Sequence, residues 1–222
     1  MSFINQFIDI VLHLDKYLGV LISNYGLATY LILFLIIFLE TGLVVTPILP
    51  GDSLIFAAAA FAATGALNIG ILLVVLAAAA ILGDTSNYEI GRHIGQKLIN
   101  KENSRFIKKE YIEKTNAYYD KYGGKTIVIA RFIPIVRTFA PFVAGIGKMD
   151  YKHFITFNAI GGALWVCIVS ALGFFFGNIP FVAKNFSLVI IAIIFISILP
   201  GVISILKAKL SNNKNVQLEE NE

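Results

Sequence analysis

Phe3, Ile4, Phe7, Ile8, Val11, Leu14 and Leu18 recur at helical spacing, with Asn5, Gln6, Asp9, His13 and Lys16 on the opposite side. The pattern predicts an amphipathic helix over residues 1–24, lying in a membrane interface or packed on the rest of the chain. Long apolar runs then replace the periodicity. Residues 27–39 are unbroken until Glu40, and 54–66 are alanine-rich. Residues 69–82 form a third run, expected to continue as helix through Gly83 and Asp84. The segment 126–147 is apolar but contains Arg131, Pro134, Arg137 and Pro141. Residues 154–177 and 186–206 are each long enough to span a bilayer, which takes about 20 residues. The one long polar stretch is 84–125, and the polar tail 207–222 is expected to be disordered.

Two apolar segments are broken by proline. Pro47 and Pro50, followed by Gly51, cannot all sit within one regular helix, and the same reasoning applies to Pro134 and Pro141. Broken backbone at membrane depth is tolerated only where protein or a water-filled cavity satisfies its polar groups. The expectation is therefore an all-α membrane protein: a helical bundle holding two re-entrant hairpins, which the breaks at Pro47, Pro50, Gly51, Pro134 and Pro141 would create.

Composition agrees with that class. Of 222 residues, 57% are hydrophobic and 14% charged, against about a quarter charged in soluble domains. A net charge of +4 is too mild and scattered to point to nucleic acid. Asp9 and Asp15 stand where a cleavable leader would be basic, so the N-terminal segment is expected to stay attached. The lone Cys167 excludes an intrachain disulfide and reads as a small core residue. His13, His93 and His153 have no metal-ligand spacing, and no metal or other cofactor is expected.

Charge distribution orients the chain. If 84–125 is cytoplasmic and both hairpins return to the side they entered, fifteen Lys and Arg lie inside and only Lys184 outside. Both termini are then cytoplasmic. The hairpins enter from opposite faces as a weak inverted repeat, an organisation used by many secondary transporters.

Four residues carry the candidate chemistry. Glu40 and Asp52 are carboxyls at membrane depth, where such groups commonly serve ion and proton pathways. Asp52 also suits the N-cap of the alanine-rich helix. Arg131 and Arg137 keep their charge and must find carboxylates, carbonyls or an anionic ligand. A turn at Pro134 would let both guanidiniums converge on a phosphate, to which their forks are suited. They can equally serve as structural counter-ions for Glu40 and Asp52, and a gate combining both roles follows if substrate phosphate competes with the carboxylates. No histidine, cysteine or lysine accompanies the arginines in the hairpin, which argues against a lipid phosphatase and against enzymes generally.

The motifs Glu40-Thr41-Gly42, Pro47-Ile48-Leu49-Pro50-Gly51-Asp52-Ser53, Gly83-Asp84, Asn87-Tyr88 and Gly91-Arg92 resemble those of the DedA membrane-protein family. So do Arg131-Phe132-Ile133-Pro134, residues 136–141, Ala144-Gly145, Asn158 and Gly162-Ala163, and the likeness covers about residues 25–206. The resemblance implies a bacterial inner-membrane, multi-pass protein with Glu40 and Asp52 as the acidic pair and Arg131 and Arg137 as the basic pair. It also implies a role in recycling undecaprenyl phosphate, flipping or scrambling phospholipids, or maintaining proton motive force. The expected function is a flippase or scramblase for undecaprenyl phosphate or a phospholipid headgroup, coupled to protons. A proton-coupled exporter of ions or small cationic solutes is the other reading. Membrane lipid and protons are the expected partners, and a homo-oligomer stays open.

Overall fold

The computed structural model describes residues 3–43, 51–95, 123–196 and 199, and these contain helices and turns but no strand. In chain order the helices are α1 (Phe3–Leu12), α2 (Leu14–Tyr25), α3 (Ala28–Gly42), α4 (Gly51–Ala63) and α5 (Ile69–Ile90). A π turn, Gly91–Gly95, prolongs α5. Then follow α6 (Lys125–Ala130), α7 (Pro134–Ile146), α8 (Tyr151–Phe176), α9 (Pro180–Lys184) and α10 (Phe186–Ile196). Pro47, Pro50, most of the 84–125 stretch and the 207–222 tail lie outside the described residues.

Local chemistry sets several boundaries. The Asn68 side chain accepts from the Ile71 N–H at 3.1 Å and caps α5. Asp150 does the same for α8, accepting from the His153 N–H at 2.9 Å. Pro134 opens α7, where its missing N–H costs no helical bond. Pro141 does not break the segment as the sequence suggests: α7 runs through it. Beyond that proline Gly91 and Gly145 seat α7 directly on α5, and ahead of it Asn87 of α5 donates to the Thr138 carbonyl. The interruption lies earlier, at Arg131–Ile133, between α6 and α7. The amphipathic 1–24 segment is likewise two helices meeting at His13, and Leu14 and Leu18 of α2 are buried in the core.

Helices α5 and α8 are the pillars. On α5 pack α3 and α7, on α8 pack α4 and α6, and the pillars touch each other. Within the described residues, Ile69–His93 and Tyr151–Phe176 are long and apolar enough to cross a membrane. The exterior suits lipid: Leu27, Leu31, Leu35 and Leu39 on α3 and its entry, and Ile160, Leu164, Ile168 and Leu172 on α8, are exposed every fourth residue. Cys167 lies on that outer side and not in the core.

The interior is divided. One apolar cluster gathers Leu33, Ile37, Ala57–Ala60, Leu72, Leu76, Ala80, Trp165 and Val166. A second gathers Tyr88, Ile127, Ala130, Ala140, Ala144 and Phe154. Along α5 the buried Asp84 and Asn87 follow Ala80 and precede or adjoin Tyr88; along α8 the buried Asn158 falls between Phe154 and Trp165. A polar layer therefore crosses the bundle between two apolar ones.

Candidate functional site

Five ionisable side chains meet in that layer. Arg137, on the first turn of α7, is 9% exposed and uses both arms of its guanidinium. Its Nη2 donates to Glu40 Oε1 at 2.7 Å and its Nη1 to Asp52 Oδ1 at 2.8 Å. Glu40 ends α3 and is 3% exposed, and Asp52 starts α4. Trp165 of α8 closes the group: its indole N–H donates to the same Asp52 Oδ1 at 2.8 Å. The Trp165 ring lies 4.8 Å from the Arg137 guanidinium carbon, a cation–π contact. One arginine thus ties the ends of three helices together beneath an aromatic lid.

Arg131, in the break between α6 and α7, is placed differently. Its Nη2 donates to Asp84 of α5, and to Asn158 Oδ1 of α8 at 2.7 Å. Asn158 is itself held by donating to the Ile81 carbonyl at 3.0 Å. The Arg131 Nη1 is buried without a hydrogen-bond partner. Trp165 stands between the two arginines, its ring 5.8 Å from the Arg131 guanidinium carbon.

Glycines make the room. A Cβ on Gly51 would stand 1.9 Å from Glu40 Oε2, and one on Gly162 would stand 3.0 Å from Arg131 Nη1. One on Gly83 would stand 1.9 Å from the Thr41 hydroxyl. Asn87 laces the layer to the backbone, donating to the Thr41 carbonyl at 3.2 Å and the Thr138 carbonyl at 2.8 Å.

Glu40, Asp52, Arg131 and Arg137, singled out in the sequence, all fall in this layer. Gly51 is there too, as the close-packed first residue of α4. Pro134 starts the helix that presents Arg137, while Pro141 lies along it. The two arginines do not share the two acids: Asp84 takes Arg131. Asp84 and Trp165 escape sequence reasoning, although Asp84 at the end of an apolar run was a visible signal. Among the described residues, no three His, Cys, Asp or Glu side chains are grouped to hold a metal.

Charged side chains buried at helix ends and at a helix break, inside a bundle with a lipid-suited exterior, define a helical membrane protein with an internal polar site. The chain belongs to the DedA family: the VTT domain matches residues 49–175, and protein DedA of Escherichia coli K12 is 53% identical over 94% of this chain and 96% of its own length. An uncharacterized membrane protein of Mycobacterium tuberculosis H37Rv is 46% identical over 77% of this chain and 75% of its own. The inner membrane protein YghB of E. coli K12 is 34% identical over 70% and 71%. No solved structure matches the chain. The protein is accordingly a membrane protein, as these relatives are.

Proposed function

We propose that the protein moves a phosphate-bearing lipid across the membrane, and that the Arg137–Glu40–Asp52 node is its gate. One observation carries this reading: a permanently charged guanidinium is buried at the bundle centre with both forks committed to carboxylates. A phosphate offers two anionic acceptor oxygens to one guanidinium and can compete for those arms. Protonation of Glu40 or Asp52 would free Arg137 for the headgroup, which would couple the exchange to protons. Arg131 would supply the second positive group, with its Nη1 spare for an acceptor.

The backbone breaks serve that gate. In this reading residues 40–66 and 126–147 form two re-entrant hairpins entering from opposite faces, as an inverted repeat, so that α4 and α7 present their first turns to one another at mid-depth. At 13 residues each, or about 20 Å at 1.5 Å per residue, α4 and α7 are too short to cross alone. The fifteen-to-one Lys and Arg distribution supports cytoplasmic termini in a bacterial inner membrane. Undecaprenyl phosphate, or a phospholipid headgroup, is the proposed cargo.

Trp165 favours a second reading. An aromatic ring beside two carboxylates is also a seat for a small cationic solute, with Arg137 as its competitor. Reconstitution separates the two. With labelled polyprenyl phosphate in liposomes, Arg131→Lys and Arg137→Lys keep the charge but lose the fork, and each should cut translocation by about tenfold or more. Full translocation by both variants would rule out bidentate phosphate recognition.

A further inference from the structure

The gate leaves a second cavity unused. Where α5 ends, a cleft of about 700 Å³ opens between the π turn and the α7–α8 junction. Its walls include Tyr88, Arg92, His93, Lys148, Asp150 and Tyr151. That volume is in the range of small-ligand sites. The cleft has two fixed cations, Arg92 and Lys148, brought from different elements.

Close backbone packing brings the two elements that carry them together. A Cβ on Gly145 would stand 2.1 Å from the Tyr88 carbonyl oxygen and 2.8 Å from the Arg92 nitrogen, and one on Gly91 would stand 2.1 Å from the Phe142 carbonyl oxygen. Helix α7 is therefore seated directly on α5 at the level of Arg92, and Lys148 follows three residues after Gly145. The π turn carrying Arg92 and His93 is a backbone feature that recurs at functional sites.

Lys148 occupies a position built for glycine. The Met149 N–H donates to the Ala144 carbonyl at 3.0 Å and the Lys148 N–H to the Gly145 carbonyl at 3.1 Å. This is a Schellman closure, whose left-handed residue is usually glycine. Lys148 adopts it with φ 56°, the one positive φ outside glycine among the described residues. A side chain there meets a steric cost that glycine avoids, and such strain tends to collect at working sites.

The acids nearby are already engaged. Asp150 caps α8 through its Oδ1. Glu89 stands 3.8 Å from Arg92 and 3.3 Å from His93, in exposed pairs of little strength. The buried Tyr88 leads inward: its ring stacks on Phe154 at 4.3 Å, its hydroxyl donates to the Met149 carbonyl, and Asp84 lies one helical turn away. Tyr151 supplies an exposed aromatic at the rim, the type that sits at headgroup level.

We infer that the Arg92–Lys148 cleft docks the phosphate of an anionic lipid at the membrane surface, with Arg92 about two helical turns along α5 from the Asp84 that holds Arg131. The inference rests on the lipid-phosphate reading of the gate and gives the cargo a first station outside it. The test is calorimetric titration of the full chain in non-ionic detergent with dihexanoyl phosphatidic acid, beside inorganic phosphate and dihexanoyl phosphatidylcholine. Arg92→Gln and Lys148→Gly should each weaken phosphatidic acid binding by about tenfold, the worth of one charge-assisted contact. Lys148→Gly should melt no lower than the native protein, because the turn loses only a strained Cβ; its weaker binding then cannot be blamed on misfolding. Phosphatidylcholine should bind less tightly than phosphatidic acid. Equal affinity for inorganic phosphate would assign the cleft to the free anion and overturn the lipid assignment. Native affinity in both variants would overturn the site altogether, whether or not Arg131→Lys and Arg137→Lys abolish translocation, so the two readings fail separately.

Discussion

Arg137 and Arg131 have the same chemistry but different company, and that difference assigns them different work. Arg137 spreads its two nitrogens over carboxylates from α3 and α4, with Asp52 also held by Trp165. Arg131 gives one nitrogen to both Asp84 and Asn158, from the two pillars. The first arrangement joins the short helices, and the second fastens the α6–α7 break to the frame. Removing a buried partner leaves the other charge uncompensated, at about 3–5 kcal/mol. Asp84→Asn should therefore lower thermal stability in detergent, by about 3 kcal/mol or more, in the absence of any substrate. An unchanged melting temperature would mean that Asp84 does not hold Arg131. The four charged residues of the gate and its neighbour were legible because ionised groups inside apolar runs have few benign explanations. Asp84 was harder to read because it stands where an apolar run meets the polar stretch, so it resembles a helix boundary. Trp165 was hidden for another reason: a tryptophan in an apolar run looks like core, and only its indole N–H on Asp52 sets it apart.

At the level of elements, α8 was predictable from length and apolarity, and α5 from an apolar run expected to continue, which does run on through Gly83 and Asp84 as helix. Pro141 misled because proline's missing N–H is a local argument, whereas α7 is held from outside by α5. The same outside support explains the glycines. Gly145 and Gly91 permit backbone-on-backbone seating that no side chain fits. Gly145→Ala should force α7 away from α5, costing about 1–3 kcal/mol as overpacking does, and should disturb both Arg137 and Lys148. Melting of this variant beside Gly26→Ala, where a Cβ has open space but the φ is +51°, separates crowding from backbone strain. Equal losses in the two would show that seating on α5 is not what Gly145 provides. At the N-terminal end, the Tyr17 hydroxyl donates to Asp9 at 2.7 Å across the α1–α2 junction, and holds that carboxyl below its ordinary pKa.

For the whole molecule, lipid-suited leucines outside, two apolar clusters inside and a charged layer between them fit a membrane protein whose function lies at its centre. Orientation follows from charge: single cysteines at Asn103 and Asn213 should be labelled only from the cytoplasm, and one at Asn178 only from outside. Labelling of Asn103 from the external face of intact cells would invert the topology and the direction in which the Arg92–Lys148 cleft faces. In the proposed gate, protons on Glu40 and Asp52 release Arg137 for a lipid phosphate. The most direct test of that release is liposome translocation of labelled polyprenyl phosphate at two pH values, with and without a pH gradient, for the native protein, Glu40→Gln and Asp52→Asn. Native flux should respond to pH, while variants that remain folded and inserted in detergent should move the lipid without that response. A variant that is stable and still transports with native pH dependence would contradict proton release at this gate.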